Sequence, residues 1–598
     1  MLKDQLMGRF FLTNNEDVFE TAKEVNLNAG FEENGVISEP TVKGAIYDKR
    51  VKSVDNFREL EDGREVAAVG APLATGEFGV GPVADLYQTA GDLSDHDEEL
   101  FGHYALIEND GGSVRVRVDP LGTYSVYYHA TDSEFFVSNS LDLIARCTDN
   151  ISVDRNGLLE NMLFLTNLSN MTPFEDVYKL DGATVLSLED TLSTENVGVR
   201  SQTISYDSFD DAVEKYAARI NEVMSDVAKS NCNIGLTLTG GSDSRTLLAG
   251  LFANDVRPTV MCGRGHTPFD ASDRDLEINM MIADKYSLDQ YSINWNHDPL
   301  SVDDESREEN FQRYGFHYTY RGGSANVFEE LEGGISPYPD VMMLGYGTQF
   351  TNSNPWNKFD EQSEYNIQAL IDDLANFDLS VVDNEEGFRE YLADAILSRN
   401  DINVGETMTG SELLNTHYKL RNYSPGRFVT FLNEFTYLFS PLLTLHLQEP
   451  LYNFPSEFRS EQRFQLEVIS YLQDELLDIP LHSGNRVAND PAKSKQLIDK
   501  FNLGEWIKQV PTPLEYLIRY GYYHATGKIQ YKDDIMGHYS DEERDRINDF
   551  YESKIEDLDV SLNLNLPESK PNVIMNNLYL TLYGIERLTD ERNGDKVE

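Results

Sequence analysis

The sequence predicts a mixed α/β protein. An α+β amino-terminal unit of short strands and turns precedes a second unit built on a doubly wound parallel sheet, and mainly helical segments follow. Three observations carry this. Segments at 101–108, 114–118 and 134–138 have strand character and are separated by turn signals. At 234–251 an apolar strand runs through two glycines into a leucine-rich stretch with helical spacing. From 234 to 295 strand and helix patterns alternate, the βαβ order of a parallel sheet.

Length and charge set the outer bounds. At 598 residues the chain is too long for one core, so two to four domains are expected. With 30 Phe and 32 Tyr the chain has ample material for packed cores. The 103 acidic residues against 49 basic ones leave a net charge of −54, spread along the whole chain. Dispersed acid keeps a protein soluble at a cost in self-repulsion. The reading is a halophilic cytoplasm whose salt screens that repulsion. Such a surface argues against non-specific nucleic-acid and anionic-membrane binding, both of which need Lys and Arg. An anionic ligand must then be held by local donors and metal. The three cysteines, Cys147, Cys232 and Cys262, fit no metal spacing, and their low, odd number fits a reducing compartment. The first residues lack a long apolar core, so no signal peptide is expected. No apolar run of about 18 residues occurs, so no membrane span is expected.

In chain order, 101–108 is a strand and Asp110-Gly111-Gly112 a hairpin turn. Residues 114–118 alternate strictly, which buries one face. Asp119-Pro120-Leu121-Gly122 is the next turn, 126–128 and 134–138 are strands, and 142–146 begins a helix. Gly102-x-Tyr104-Ala105, Val118-Asp119-Pro120-x-Gly122, Tyr127-Tyr128 and Val137-Ser138-Asn139-Ser140 follow one another. Thr172-Pro173-Phe174 and Val177-Tyr178-Lys179-Leu180-Asp181-Gly182 come later. Together they resemble the amidotransferase domain that precedes the synthetase domain in glutamine-hydrolysing asparagine synthetases. The resemblance implies an Ntn-type β-sandwich over about 1–195. That family attacks glutamine with an amino-terminal cysteine thiolate. Here the start is Met1-Leu2, and the family-like start Met7-Gly8-Arg9-Phe10-Phe11 puts Met7 in the cysteine's place. The family's Asn-Gly-Glu string is replaced by Val69-Gly70-Ala71-Pro72-Leu73-Ala74. A structural domain without glutaminase activity is therefore expected.

The second unit opens with a helix over 209–227 and then the strand ending at Leu238. Thr239-Gly240-Gly241-Ser242-Asp243-Ser244 follows and leads into a helix. Amides at a helix start favour an anion, and the missing side chains of Gly240 and Gly241 let backbone N–H groups approach phosphate closely. Thr239, Ser242 and Ser244 offer hydroxyls. Asp243 makes sense beside phosphate if Mg²⁺ bridges them. The plain alternative is a strand–turn–helix connection with Ser or Asp as cap. No Gly-Lys-Ser/Thr follows, so this is not a Walker-type loop. The string resembles the pyrophosphate loop Ser-Gly-Gly-x-Asp-Ser of ATP-pyrophosphatases, with Thr239 for the first Ser. The implied fold is Rossmann-like, of the adenine nucleotide α-hydrolase type, over about 200–500.

Beyond the loop, 257–263 reads as a strand whose final Gly263 is a resting place for adenosine at the sheet's carboxyl edge. A helix at 273–286 and a strand at 291–295 follow. Cys262 reads as a small apolar strand residue and not as a reactive thiol. At 339–350 an apolar strand runs into Leu344-Gly345-Tyr346-Gly347-Thr348-Gln349. The family has Leu-Ser-Gly-Glu-Gly-Ala-Asp-Glu here, so Gly345 and Gly347 match, Tyr346 takes the Glu slot and Gln349 the Asp slot. β-Lactam synthetases on the same fold carry Tyr in that Glu slot. A neutral amide is a poor Mg²⁺ ligand, which leaves the metal to Asp243 and substrate phosphates or leaves a site that binds without efficient turnover. The plain reading is again a strand-to-helix turn. The aromatic stretch 416–439 reads as core helix. Ser440-Pro441-Leu442-Leu443-Thr444 resembles a family Pro-Phe-Leu-Asp segment, with Thr444 for Asp, and 473–481 resembles a later Leu-Pro stretch. For the family's phosphate-neutralising lysine, Arg486, Lys493 and Lys495 are candidates. Residues 501–598 are expected to form a helical extension, with one helix at 514–523.

The resemblance implies ATP-dependent activation of a carboxylate, aspartate or a related acid, with release of AMP and pyrophosphate. Amide formation with ammonia or another amine follows. Leu238, Thr239, Gly240, Gly241, Ser242, Asp243, Ser244, Gly263, Leu344 and Gly345 would hold ATP, Asp243 would hold Mg²⁺, and Asp243 with Tyr346 would serve catalysis. The partners are then small molecules, and a homodimer is compatible with this reading. An internal amide ligase and a nucleotide-binding scaffold without turnover are the alternatives.

Overall fold

The computed structural model describes residues 8–47, 56–148, 152–197, 204–264, 271–294, 339–347, 385–397, 436–452 and 463–481, a few positions within them aside, and isolated residues elsewhere. The amino-terminal unit runs β1 (Phe10–Thr13), α1 (Glu16–Asn28), β2 (Glu33–Ser38), β3 (Lys43–Tyr47), β4 (Phe57–Glu59), β5 (Glu65–Ala74), β6 (Glu77–Phe78) and α2 (Val80–Ala90). It continues with β7 (Phe101–Asn109), β8 (Val114–Val118), β9 (Tyr127–Ala130), β10 (Phe135–Ser138), α3 (Leu141–Cys147), α4 (Arg155–Phe164), β11 (Val177–Lys179), β12 (Thr184–Leu188) and β13 (Leu192–Asn196).

These strands make two antiparallel sheets. One has the order β11-β9-β10-β1-β3-β2, the other β13-β12-β8-β7-β5-β4 with β6 on β5. Side chains alternate between the faces of a strand. Phe10, Leu12 and Ile46 of the first sheet therefore meet Val69, Ala105, Ile107 and Val116 of the second in one core. On the outer face of the first sheet Phe11 stacks on Phe136 and packs against Phe19 of α1. On the outer face of the second, Val66, Ala68, Tyr104 and Leu106 pack against Val80, Val83 and Tyr87 of α2. The result is four layers, helix–sheet–sheet–helix, with strands such as β7 buried along their full length.

The second unit comprises α5 (Phe209–Lys229), β14 (Ile234–Thr237), α6 (Ser242–Ala253), β15 (Thr259–Arg264), α7 (Ala271–Tyr286), β16 (Gln290–Asn294), β17 (Val341–Leu344) and α8 (Glu385–Leu397). Then come β18 (Tyr437–Phe439), a 3₁₀ turn at Pro441–Leu443, α9 (Leu445–Tyr452), α10 (Arg463–Gln473) and a 3₁₀ segment at Asp474–Asp478. Its sheet is parallel throughout, in the order β16-β15-β14-β17-β18. Counted from β14 this is 3-2-1-4-5, the doubly wound order. A Cβ on Gly250 would fall 2.8 Å from both Ile220 and Met224, so glycine lets α6 lie close against α5.

One expected element changes type. Of the stretch read as a core helix over 416–439, Tyr437, Leu438 and Phe439 form strand β18; most of the remainder lies outside the described residues. The burial expected there holds, since Phe439 is fully enclosed. A parallel strand covered on both faces shows no alternation, so periodicity does not separate it from a buried helix. The expected helices over 501–598 lie outside the described residues. The two units share a packed border, where Phe78 stacks on Tyr437 at 5.4 Å and Ala71, Leu73 and Phe101 join the core of the second unit. Among the described residues no helix is long and apolar enough to cross a membrane.

Candidate functional site

Two loops meet at the carboxyl ends of neighbouring strands β14 and β17. On one side of β14 the sheet continues to β15, on the other to β17, so this is the point where strand order reverses and where ligands of open α/β sheets bind. Thr237 Oγ1 donates to the Met343 carbonyl at 3.2 Å and ties the two strand ends together. After β14, Leu238 stays in the sheet through its N–H to the Met261 carbonyl, 2.8 Å. Thr239, Gly240 and Gly241 turn the chain, and α6 starts at Ser242 with no side-chain cap on its first amides. Its dipole and its amides favour an anion there.

After β17 the chain passes through Gly345, Tyr346 and Gly347. A Cβ on Gly345 would sit 2.5 Å from the Ser244 nitrogen, so only glycine lets this loop lie on the start of α6. Gly347 has φ 123°, and a Cβ there would strike the Leu442 carbonyl. Gly241 of the first loop is less constrained. Gly241 has φ −75°, and a Cβ on it would meet only Thr239 Oγ1, at 3.3 Å.

The loop's polar groups were expected to face a phosphate. Several of them hold the loop. The Thr239 N–H donates to Ser244 Oγ at 3.2 Å, the Gly241 N–H to Thr239 Oγ1 at 3.2 Å, and the Gly240 N–H to Asp275 Oδ1 at 2.8 Å. Ser242 Oγ donates to Gln465 Oε1 at 2.7 Å. The Ser244 hydroxyl thus satisfies the Thr239 amide of the irregular turn, and the Ser242 hydroxyl is directed inward at the Gln465 side chain.

Four residues that the sequence reading did not single out complete the site. Asp275 and Asn279 lie one helical turn apart on α7 and grip the loop from one face; Asn279 Nδ2 donates to the Leu238 carbonyl at 3.0 Å. Gln465 of α10 donates through Nε2 to Asp243 Oδ1 at 2.7 Å. Arg245 is fully buried, and its guanidinium donates to the carbonyls of Leu476 (3.2 Å), Ile479 (2.6 Å) and Pro480 (2.9 Å). Burial lowers its pKa to about 10, which still leaves it charged at neutral pH. A signal existed for two of them. Gln465 and Asn279 are polar residues on the apolar faces of their helices, among Phe464, Val468 and Ile469, and Ile278 and Ile282.

Of the expected residues, Leu238 to Ser244, Leu344 and Gly345 come together around the start of α6. Tyr346 is half-buried next to them, with its carbonyl 3.2 Å from Ser440 Oγ. Gly263 lies in β15, two residues past the Met261 carbonyl that receives Leu238, and the strand continues one residue beyond it. Gln349, Arg486, Lys493 and Lys495 lie outside the described residues. Burial pushes the Cys262 thiol up to about 12, with the Asp275 charge adding to it, so this cysteine is an inert strand residue. Among the described residues no three His, Cys, Asp or Glu side chains gather as a metal site. Asp243 supplies the one carboxylate in the first turn of α6.

No protein-family model and no curated protein matches this chain. Among solved structures it is similar to one described as the allosteric regulatory enzyme of purine biosynthesis, at 10% identity and a TM-score of 0.23, over 44% of this chain and 67% of that one. It is similar also to glutamine phosphoribosylpyrophosphate amidotransferase from B. subtilis complexed with ADP and GMP, at 9% identity and a TM-score of 0.23, over 57% of this chain and 77% of that one. At such scores the likeness decides neither fold nor activity.

Proposed function

We propose that the second unit binds ATP and activates a small-molecule carboxylate, aspartate or a related acid, as an acyl-adenylate, releasing pyrophosphate. Ammonia or another amine then attacks the acyl carbon and AMP leaves. The observation that supports this reading is the meeting of the Thr239–Ser244 and Gly345–Gly347 loops over the uncapped start of α6 at the sheet's switch point. In this reading a carboxylate oxygen attacks the α-phosphorus, and negative charge shifts onto the departing pyrophosphate. The α6 amides and dipole stabilise that charge, usually the largest contribution in such sites. Asp243, steadied by Gln465, would hold Mg²⁺, and the ion when bound neutralises charge on the pyrophosphate. Gly345 lets the second loop close on α6, and Tyr346 stands next to the reacting centre. The four-layer amino-terminal unit is proposed to be structural, since the sequence puts Met7, which lies outside the described residues, in the place of an amidotransferase's nucleophile.

A second reading, a nucleotide-binding scaffold without turnover, has one observation in its favour: the Asp275 carboxylate already takes the Gly240 amide that a phosphate would use. Pyrophosphate exchange into ATP, in molar KCl with Mg²⁺, with and without aspartate, separates the two. Exchange that requires aspartate and is abolished in Asp243→Asn is the expected result. ATP binding without exchange for any acid tried would favour the scaffold.

A further inference from the structure

We propose that His103 is a positioning residue through which the amino-terminal unit sets the shape of the Gly345–Gly347 loop. As a statement about nucleotide binding this rests on the site reading above; as a statement about the loop it does not.

His103 lies in β7, fully buried, on the border between the two units. Its surroundings decide which nitrogen carries the proton. Thr123 Oγ1 donates to Asp119 Oδ1 at 2.8 Å, so its single hydroxyl proton is committed. Asp119 is itself fixed by the N–H groups of Thr123 and Tyr124 at 3.1 and 2.8 Å. The 2.6 Å contact between His103 Nδ1 and Thr123 Oγ1 must then be a donation from Nδ1–H. In the neutral ring Nε2 is left as an acceptor, and the Ser440 N–H points to it at 3.1 Å. The Ser440 carbonyl, 3.2 Å from the same nitrogen, suits only a protonated ring. Burial lowers the His103 pKa, and Asp119 only partly opposes it, so the neutral form prevails at pH 7.

The other end of the relay is the loop. Ser440 is buried, and its hydroxyl sits 3.0 Å from the Leu344 carbonyl and 3.2 Å from that of Tyr346, one proton shared between the two. Asp119, Thr123, His103 and Ser440 thus form one buried chain of hydrogen bonds from the amino-terminal unit to the candidate site. A buried polar chain adds little stability over apolar packing, but it admits one arrangement only. That is what a loop carrying two glycines needs, since glycine leaves its backbone free to move.

Two variants divide the relay at the histidine. In His103→Asn the amide reaches Thr123 but not Ser440. In His103→Gln the side-chain oxygen reaches the Ser440 N–H and the Thr123 bond is lost. Mg·ATP affinity, amide hydrogen exchange across Leu344 to Gly347 and thermal melting would be measured on the full chain for both, and for Ser440→Ala. Expected are a loss of about tenfold in affinity and faster loop exchange in His103→Asn and Ser440→Ala. His103→Gln should stay within about threefold of the unchanged protein, and the double variant His103→Asn with Ser440→Ala should be no worse than either single one. Loop exchange and affinity that ignore the substitutions, or a loss in His103→Gln with none in His103→Asn, would overturn the proposal. An unchanged protein that binds no ATP would sink the nucleotide reading instead, and loop exchange alone would then decide the role of His103.

Discussion

The space beside the α-carbon separates two kinds of glycine in this site. Gly345 has no room for a methyl group, because the Ser244 backbone stands 2.5 Å from where it would go. Gly241 has ordinary backbone angles, and a methyl group there would ask only the Thr239 hydroxyl, 3.3 Å away, to give by a few tenths of an ångström. Gly345→Ala is therefore expected to lose most ATP affinity and about 1–3 kcal/mol of stability, the usual range for overpacking. Gly241→Ala should change stability by no more than about 0.5 kcal/mol. Titration calorimetry and urea melts on the pair check this, and equal effects would mean that the second loop does not rest on α6. From the sequence both glycine pairs read alike as tight turns, since a clash depends on a neighbour about a hundred residues away.

Helices hold the loop by side chains directed at backbone atoms. Arg245 reaches from α6 to three carbonyls in 476–480, and Asn279 and Asp275 reach from α7 to Leu238 and Gly240. Replacing Arg245 by Met keeps bulk and removes the donors. Two buried carbonyls, of Leu476 and Ile479, would lose their partner at about 1–3 kcal/mol each when left wholly unsatisfied, and the half-buried Pro480 carbonyl can turn to water, so a loss of about 2 kcal/mol or more in urea unfolding is expected. A loss below about 1 kcal/mol would show that water replaces the guanidinium. Nothing in the sequence marks Arg245 as buried, because arginine is almost never enclosed without a partner. Its partners here are carbonyls, which every residue has.

Across the whole molecule, the border between the units contains a second histidine. His446 of α9 packs against Phe101 of β7, with ring centres 5.0 Å apart. Burial, and then the positive charge of Arg219, lower its pKa to about 4. Glu222 lies 3.3 Å from Nε2 and pulls the other way, but its side chain is 61% exposed, so water weakens its hold. The unfolded chain takes up this proton near pH 6.5 and the folded protein only near 4. Stability is thus full above about pH 6.5 and drains away as pH falls from there towards 4. Between pH 7.5 and 5.5 His446 should account for a loss of about 1.4 kcal/mol, and His446→Gln should remove that part of the slope. Denaturant melts at fixed high salt measure it. A slope unchanged by the substitution would show that Glu222 keeps the protonated ring content in the fold.

The sequence by itself determined the periodic features. Alternation and turn residues placed β7, β8, β9 and β10 of the first unit, and the strand–Gly-Gly–helix pattern placed the loop between β14 and α6. These are local properties, written within one or two turns of chain. The tertiary structure alone decided the rest. It made Tyr437, Leu438 and Phe439 a strand by giving them β17 as a neighbour. It turned the Ser242 and Ser244 hydroxyls inward and set Gln465 against Asp243. It also joined His103 to Ser440 across 337 residues. Each of these depends on which groups burial brings together, and a buried polar atom bonds to whatever partner the packing leaves within reach, at any distance along the chain.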